Sequence, residues 1–453
     1  MNRLRATTDG ARTSPPGALA ADASWNLGAF ALMAITGVAI SFFVLSQRGG
    51  EALGVFSQVY AIYVVVAQVA ALGIHDSAQK HAAEHSEDPI EVRRLCRGAC
   101  TSALVTAALM AAALGLASPL VGLATDSSAV GRGVLVVAPG VWLFGMNKAL
   151  LGVLNGLRRM RTFALAQAAR AVTILATVVG IGVSSLPDWT LVAAFVAGEL
   201  VVLCGVTAAL WPELRGPWDG ETARWCRRHL RFGLRALPAG LLAESFVRID
   251  VIVLGVFVSD VEVGTYGFAA FFAEGLIQIP VVVRTVVNPV FVKLLARRDH
   301  AAVARLSRRA GAASVAMTGL GAAVVLTLLP LLGPRLGVDL VTSAGELLGV
   351  LLVGICFYAA FLPSDYLLLQ AGLPGRQSAL MAVNVLVSVL LNALLIGTCG
   401  ARGAALATAL AYGWSALALT LATARWLGMT RTLFIAPPSA RSANDHGDAL
   451  GSP

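Results

Sequence analysis

The sequence predicts an all-α polytopic membrane protein of about twelve transmembrane helices, arranged as two parallel-repeat six-helix lobes around a central cleft. Three observations predict it. Apolar residues make up 57% of the 453 residues and charged residues only 13%, about half the charged share of a soluble domain. The mean hydropathy is +0.77, so a water-soluble fold would expose apolar surface that only lipid can cover. The apolar residues fall in runs of roughly 20 or more, enough to cross about 30 Å of hydrocarbon at about 1.5 Å per residue. No run shows the in–out alternation of a β-barrel.

The runs lie at 25–46, 53–74, 97–118, 133–154, 163–183, 189–210, 233–258, 264–291, 310–332, 343–369, 378–396 and 403–426. Basic residues order them across the bilayer. With both termini inside, 26 of the 34 Lys and Arg fall in inner segments, 4 in outer loops and 4 within spans. That asymmetry is the positive-inside pattern, and an odd number of spans would scramble it. The net charge of +9 then lines the inner face, where it can meet anionic lipid headgroups, and it is no sign of nucleic-acid binding.

Around the spans, residues 1–23 read as a disordered cytoplasmic tail rich in Arg, Thr, Pro, Gly and Ala, with no evident cleavable signal. Residues 24–211 form the N-terminal six-helix lobe and 212–232 a cytoplasmic linker. Residues 233–427 form the C-terminal lobe, and 428–453 a second polar tail. Outer loops are short. The inner segments 75–97 and 293–309 are charged and helix-permissive, which places them on the membrane surface. Neither side has a loop large enough for a catalytic domain, so the chain is expected not to be an enzyme.

The halves repeat. Shifted by 210 residues, Gly264-Thr265-Tyr266 falls on Gly54-Val55-Phe56, and Gln278 on Gln68. In each half a short outer turn precedes Gly-x-aromatic, which opens a span leading into an inner amphipathic segment. Six spans per half make this a parallel repeat, with a substrate path expected where the halves meet.

Charges inside the spans are expensive and mark function. Most lie in the stretch from Gly233 to Leu294. Glu244 and Arg248 stand at the favourable i, i+4 spacing and can neutralise each other. Asp250 lies about 200° round the helix from Arg248 and needs another partner, an ion or a proton. Glu274 sits about 15 Å into its span, near the midplane. Pro280 frees a backbone carbonyl and is a candidate hinge, as is Pro363 beside Asp365. Arg284, Lys148 and Arg170 lie in the inner half, where snorkelling accounts for Arg170. Lys148 and Asp365 occupy nearly repeat-related positions and could pair or each line the cleft. Glu199, mid-span, has no partner legible in sequence.

The inner set is net positive and suits an anionic substrate. The midplane set is net negative and suits a driving cation. Arg284 and Lys148 of the inner set, with the midplane cation Arg248, are the expected substrate-binding residues. Asp250, Glu274, Glu244 and Asp365 are the expected coupling residues, for Na+ or H+. No cofactor is expected. A metal site from Cys96, Cys100, His81 and His85 lacks a structural zinc pattern, and no phosphate-binding Gly-rich loop of the ATPase type occurs.

Several stretches resemble the polysaccharide, or O-antigen, flippase branch of the multidrug/oligosaccharidyl-lipid/polysaccharide exporter superfamily. They are Arg248-Ile-Asp250-Val-Ile-Val-Leu-Gly255, Val263-Gly264-Thr265-Tyr266-Gly267-Phe268 with Glu274 and Pro280, and Leu53-Gly54-Val55-Phe56-Ser57 with Leu72-Gly73-Ile74. Leu151-Gly152-Val153-Leu154-Asn155-Gly156 and Leu391-Asn392-Ala393 with Gly403-Ala404-Ala405 add to them. The resemblance implies a flippase in the bacterial cytoplasmic membrane, with both termini cytoplasmic. It would move a polyprenyl-pyrophosphate-linked oligosaccharide to the outer leaflet for cell-surface polysaccharide biosynthesis, of the lipopolysaccharide or exopolysaccharide kind. Membrane lipid, a polysaccharide polymerase and glycosyltransferases are the implied partners. Rival readings are a drug/cation antiporter of the same fold, a peptidoglycan-precursor flippase and a major-facilitator transporter. A polymerase or ligase would want a large outer loop.

Overall fold

The structure is a computed structural model and describes residues 16–429. Among the described residues it is helical throughout, with no strand. Helix α1 (Pro16–Ala71) is kinked at Gly49, whose φ of 83° is left-handed. It is followed by the short amphipathic α2 (Ile74–Glu84), α3 (Pro89–Ala124), α4 (Ser128–Gly156), α5 (Met160–Gly182), α6 (Ala193–Ala209) and α7 (Gly220–Phe257). Then come α8 (Asp260–Ala296), α9 (His300–Leu328), α10 (Val338–Ala359) and α11 (Pro374–Leu427), the last kinked at Gly400 with φ 56°.

Nine helices among the described residues are long and apolar enough to cross a membrane. The kinks at Gly49 and Gly400 fall between the expected spans 25–46 and 53–74, and between 378–396 and 403–426. α7 is not among the nine; its apolar half carries Glu244, Arg248 and Asp250. Lipid is the natural cover for the apolar side chains that point outward, such as Leu116 at 82% and Leu123 at 78% exposure on α3. α1 begins at Pro16, inside the segment read as a tail, while 1–15 and 430–453 lie outside the described residues. The linker turns helical at Gly220, capped by Asp219.

By contact the chain divides into two units, Met1–Phe271 and Phe272–Pro453, with the boundary inside α8. In the first unit α4 is central, with buried residues along most of its length, and packs on α1, α3 and α6. The repeat-related glycines meet. A Cβ on Gly54 would lie 1.7 Å from the Asp260 carbonyl oxygen, and one on Gly264 would lie 2.0 Å from that of Gly50. Only glycine allows that crossing of backbones. Asp260 locks it, accepting hydrogen bonds from Gln58 Nε2 (2.7 Å) and Ser127 Oγ (2.6 Å).

At the other end of the same helices, α2 buries Ile74, Ser77, Ala78, His81 and Ala82. It packs against α3 and the start of α7. Trp225 is 1% exposed, stacks on His229 and donates Nε1–H to Glu91. The His229 ring bonds Ser77 Oγ (2.9 Å) and the Leu95 carbonyl (3.1 Å), and its burial lowers its pKa to about 4. Burial lowers the pKa of His81 as well. These histidines are structural, each ring satisfied by neighbours. No metal-binding cluster occurs among the described residues.

In the second unit, Phe291, Val287, Val303, Ala310 and Leu367 form one core, and Leu368, Leu380, Ala418, Leu419 and Ala422 another. α10 and α11 approach closely at Gly354, where a Cβ would lie 2.6 Å from the Ala409 Cα. Tyr358 stacks on Tyr412.

Candidate substrate chamber

A cluster of polar groups among apolar helices lies inside the first unit. A cavity of about 280 Å³ opens between α1, α4, α5 and α6. Its floor is aromatic, because α1 carries Phe56, Tyr60 and Tyr63 at helical spacing and Phe195 of α6 packs among them. Phe195 stacks on Tyr60 and Tyr63 at 5.0 and 5.4 Å. Phe144 of α4 meets Tyr63 edge-on at 6.0 Å.

Every cation of this region rests on an aromatic face. Lys148 lies 5.3 Å and Arg170 5.8 Å from the centroid of Phe144, and Arg248 of α7 lies 4.7 Å from Tyr60. Such contacts hold a cation in a desolvated place at a gain of about 0.5–2 kcal/mol each. Lys148 also donates to Gln68 Oε1. Arg170 is held by Glu199, with Nη2 3.0 Å from Oε2 and Nε 2.9 Å from Oε1. Asn147 Nδ2 donates to Glu199 Oε2 at 2.8 Å, and Tyr63 OH to Oε1 at 3.3 Å.

Snorkelling is thus not the explanation of Arg170: its side chain is 13% exposed and paired to a carboxylate that is 3% exposed. Glu199, which had no partner in sequence, has Arg170, Asn147 and Tyr63. Sequence reasoning named Glu199 without a partner and missed Asn147, Tyr63 and the aromatic floor. The one available signal was a carboxylate in mid-span; its partners lie 29, 52 and 136 residues away.

Of the residues singled out from sequence, Lys148 lines the chamber and Arg248 stands on its Tyr60. Asp250 is buried, accepting from the Tyr266 hydroxyl (2.5 Å) and the Val251 amide (2.8 Å). The Glu244 side chain lies outside the described residues. Glu274, Pro280, Arg284, Pro363 and Asp365 belong to the second unit. There Asp365 finds its cation: Arg284 Nη1 approaches Oδ2 at 2.8 Å while its guanidinium lies 4.3 Å from the Tyr366 centroid. Pro280 is buried within the unbroken α8. Pro363 sits in the 3₁₀ turn Leu362–Ser364, just past the end of α10.

The chamber sets guanidinium and ammonium groups among aromatic rings. Such a donor set suits phosphate-like anions, with Arg supplying a planar fork and Lys a point charge.

Comparison with solved structures bears out the fold. The inward closed conformation of the lipid II flippase MurJ matches with a TM-score of 0.68 at 13% identity, over 87% of this chain and 86% of that one. An inward-facing multidrug resistance MATE family transporter of the MOP superfamily matches at 0.66 and 14%, over 88% and 95%. The Vibrio cholerae MATE transporter VcmN matches at 0.58 and 15%, over 92% and 100%. At these identities the likeness is one of fold. No curated protein sequence matches. The profile of a family described as polysaccharide biosynthesis protein matches residues 48–329. This stretch holds the chamber-lining Phe56, Tyr60, Tyr63, Lys148, Arg170 and Glu199, and it covers more than half of the chain. The chain therefore belongs to the polysaccharide biosynthesis protein family, on the fold of the MOP-superfamily transporters.

Proposed function

We propose that the chain is a flippase that carries a polyprenyl-diphosphate-linked oligosaccharide from the cytoplasmic to the outer leaflet of the bacterial cytoplasmic membrane, for cell-surface polysaccharide synthesis. The observation that carries this is the chamber. Lys148, Arg170 and Arg248 converge on one aromatic enclosure, each lying on an aromatic ring. A diphosphate that leaves water is best met by cations already placed, and these are held part-buried against aromatic rings. The family and the fold support the reading. A cationic drug is less well served, since Arg170 neutralises Glu199 in the chamber.

In this reading Arg248 and Lys148 hold the diphosphate, while Arg284 acts in the second unit. Asp250, Glu274, Glu244 and Asp365 are the carboxylates for cation coupling, and Pro280 and Pro363 are hinges. Both termini face the cytoplasm. Glycosyltransferases would make the cargo and a polymerase would consume it.

The test is transport of a fluorescent polyprenyl-diphosphate sugar in proteoliposomes holding the full chain. Translocation is read by quenching of the dye left in the outer leaflet. Arg248→Ala should slow it about 10–100-fold, the loss of one charged hydrogen bond of about 1.5–3 kcal/mol. Correctly inserted Arg248→Ala protein that transports at the wild-type rate would remove Arg248 from the site. Absence of transport by the wild type would refute the flippase.

A further inference from the structure

Arg170 is held in direction as well as in place. Glu199 Oε1 lies 2.9 Å from its Nε and Oε2 lies 3.0 Å from its Nη2, so the carboxylate runs along one edge of the guanidinium. Gln167, three residues back on α5, accepts from Nη1 at 2.7 Å. The Phe144 ring lies 5.8 Å from the guanidinium carbon. The clamp is itself held. Asn147 of α4 is fully buried, and its Nδ2 donates to the Glu199 backbone carbonyl and to Oε2, each at 2.8 Å. Tyr63 of α1 reaches Oε1 at 3.3 Å. Four helices, α1, α4, α5 and α6, therefore converge on the aim of one side chain that lines the chamber.

A guanidinium carries two N–H groups on each Nη. Gln167 takes one hydrogen of Nη1 and Glu199 one of Nη2, which leaves one on each nitrogen. Two such N–H groups on one planar head are the fork that meets two phosphate oxygens at once. A lysine supplies the charge without the fork, and a fork already aimed needs no reordering when the anion arrives. We infer that Arg170 is a third ligand of the diphosphate, and that Glu199 is the positioning residue that aims it. Lys148, on the same Phe144 ring, supplies the point charge beside it. The anion binds the open donors and leaves the Glu199 contact in place. The inference rests on the chamber's being the diphosphate site.

The test is transport by the full chain in proteoliposomes, with the fluorescent polyprenyl-diphosphate sugar titrated so that KM and maximal rate separate. Arg170→Lys keeps a cation against Glu199 but loses the fork. Its KM should rise about 10–100-fold, as for a lost hydrogen bond between charged groups, with a maximal rate within about twofold. Glu199→Gln keeps the guanidinium but loosens its clamp, and KM should rise there too. Were Glu199 a counter-charge alone, its removal would draw the anion more strongly and KM would fall. The paired replacement of Arg170→Met with Glu199→Leu leaves no charge stranded, so its melting temperature should stay near that of the wild type, while transport at low substrate should be lost. A wild-type KM in Arg170→Lys, or wild-type transport by the paired variant, overturns the role of Arg170. An unchanged or lower KM in Glu199→Gln overturns the positioning. Arg170→Lys, which keeps the ion pair, decides if the other variants fail to fold. Absence of transport by the wild type overturns the flippase reading and this inference with it.

Discussion

The crossing of Gly54 and Gly264 can be tested by adding a single methyl group. In Gly54→Ala the new Cβ would lie 1.7 Å from the carbonyl oxygen of Asp260. A relaxed C···O contact is about 3.3 Å, so the turn must retreat by about 1.6 Å. The obstacle is backbone, which cannot rotate away as a side chain can. A retreat of that size takes Asp260 out of reach of both Gln58 (2.7 Å) and Ser127 (2.6 Å). Hydrogen bonds to a charged group are worth about 1.5–3 kcal/mol each, and overpacking adds about 1–3 kcal/mol. Taking the low end for bonds that water can partly replace, the loss is about 4–6 kcal/mol. At about 2 °C per kcal/mol, the melting temperature in detergent should fall by on the order of 10 °C. The control is Gly205→Ala in α6, where a Cβ meets nothing within 4 Å. There alanine should leave the melting temperature level or raise it slightly, by helix propensity. If Gly54→Ala melts with the wild type, the two turns do not cross as described.

Two further outcomes follow from buried groups. Asp365→Ala should cost about 3–5 kcal/mol by stranding Arg284, whereas the pair Asp365→Leu with Arg284→Met should recover most of it; strictly additive losses in melting experiments would show that the two are not coupled. His229 stays neutral in the fold down to about pH 4 but takes a proton near 6.5 when unfolded. Its contribution is therefore fully present above pH 6.5 and is lost as pH falls toward 4, by about 3 kcal/mol. Unfolding followed from pH 8 to pH 4 should show that loss, flattened in His229→Gln, and a His229→Gln profile parallel to the wild type would contradict it.

Hydropathy is local, so the helices could be read along the chain. The kinks at Gly49 and Gly400 fall in two of the predicted gaps. The charged content of α7, Glu244, Arg248 and Asp250, was visible too. The glycine of the Gly-x-aromatic repeat was legible as a repeat mark, but its reason was not. That Gly54 and Gly264 clear a crossing of two backbones depends on positions 210 residues apart. The site was legible only in part. Lys148 and Arg248 were chosen by depth and charge, and both stand on chamber aromatics. Arg170 and Glu199 were not understood, because a snorkelling arginine and a paired one look alike in one dimension.

The sequence alone determined the class, an all-helical polytopic membrane protein, because apolar length and charge content are properties of each segment by itself. Its ordered motifs also pointed to the family that the profile match establishes. The tertiary structure decided which charges meet. Asp250 finds Tyr266 across 16 residues, Arg170 finds Glu199 across 29, and Arg284 finds Asp365 across 81. A charge held among apolar helices must be compensated where it lies, and its partner comes from whichever helix packing brings within about 3 Å.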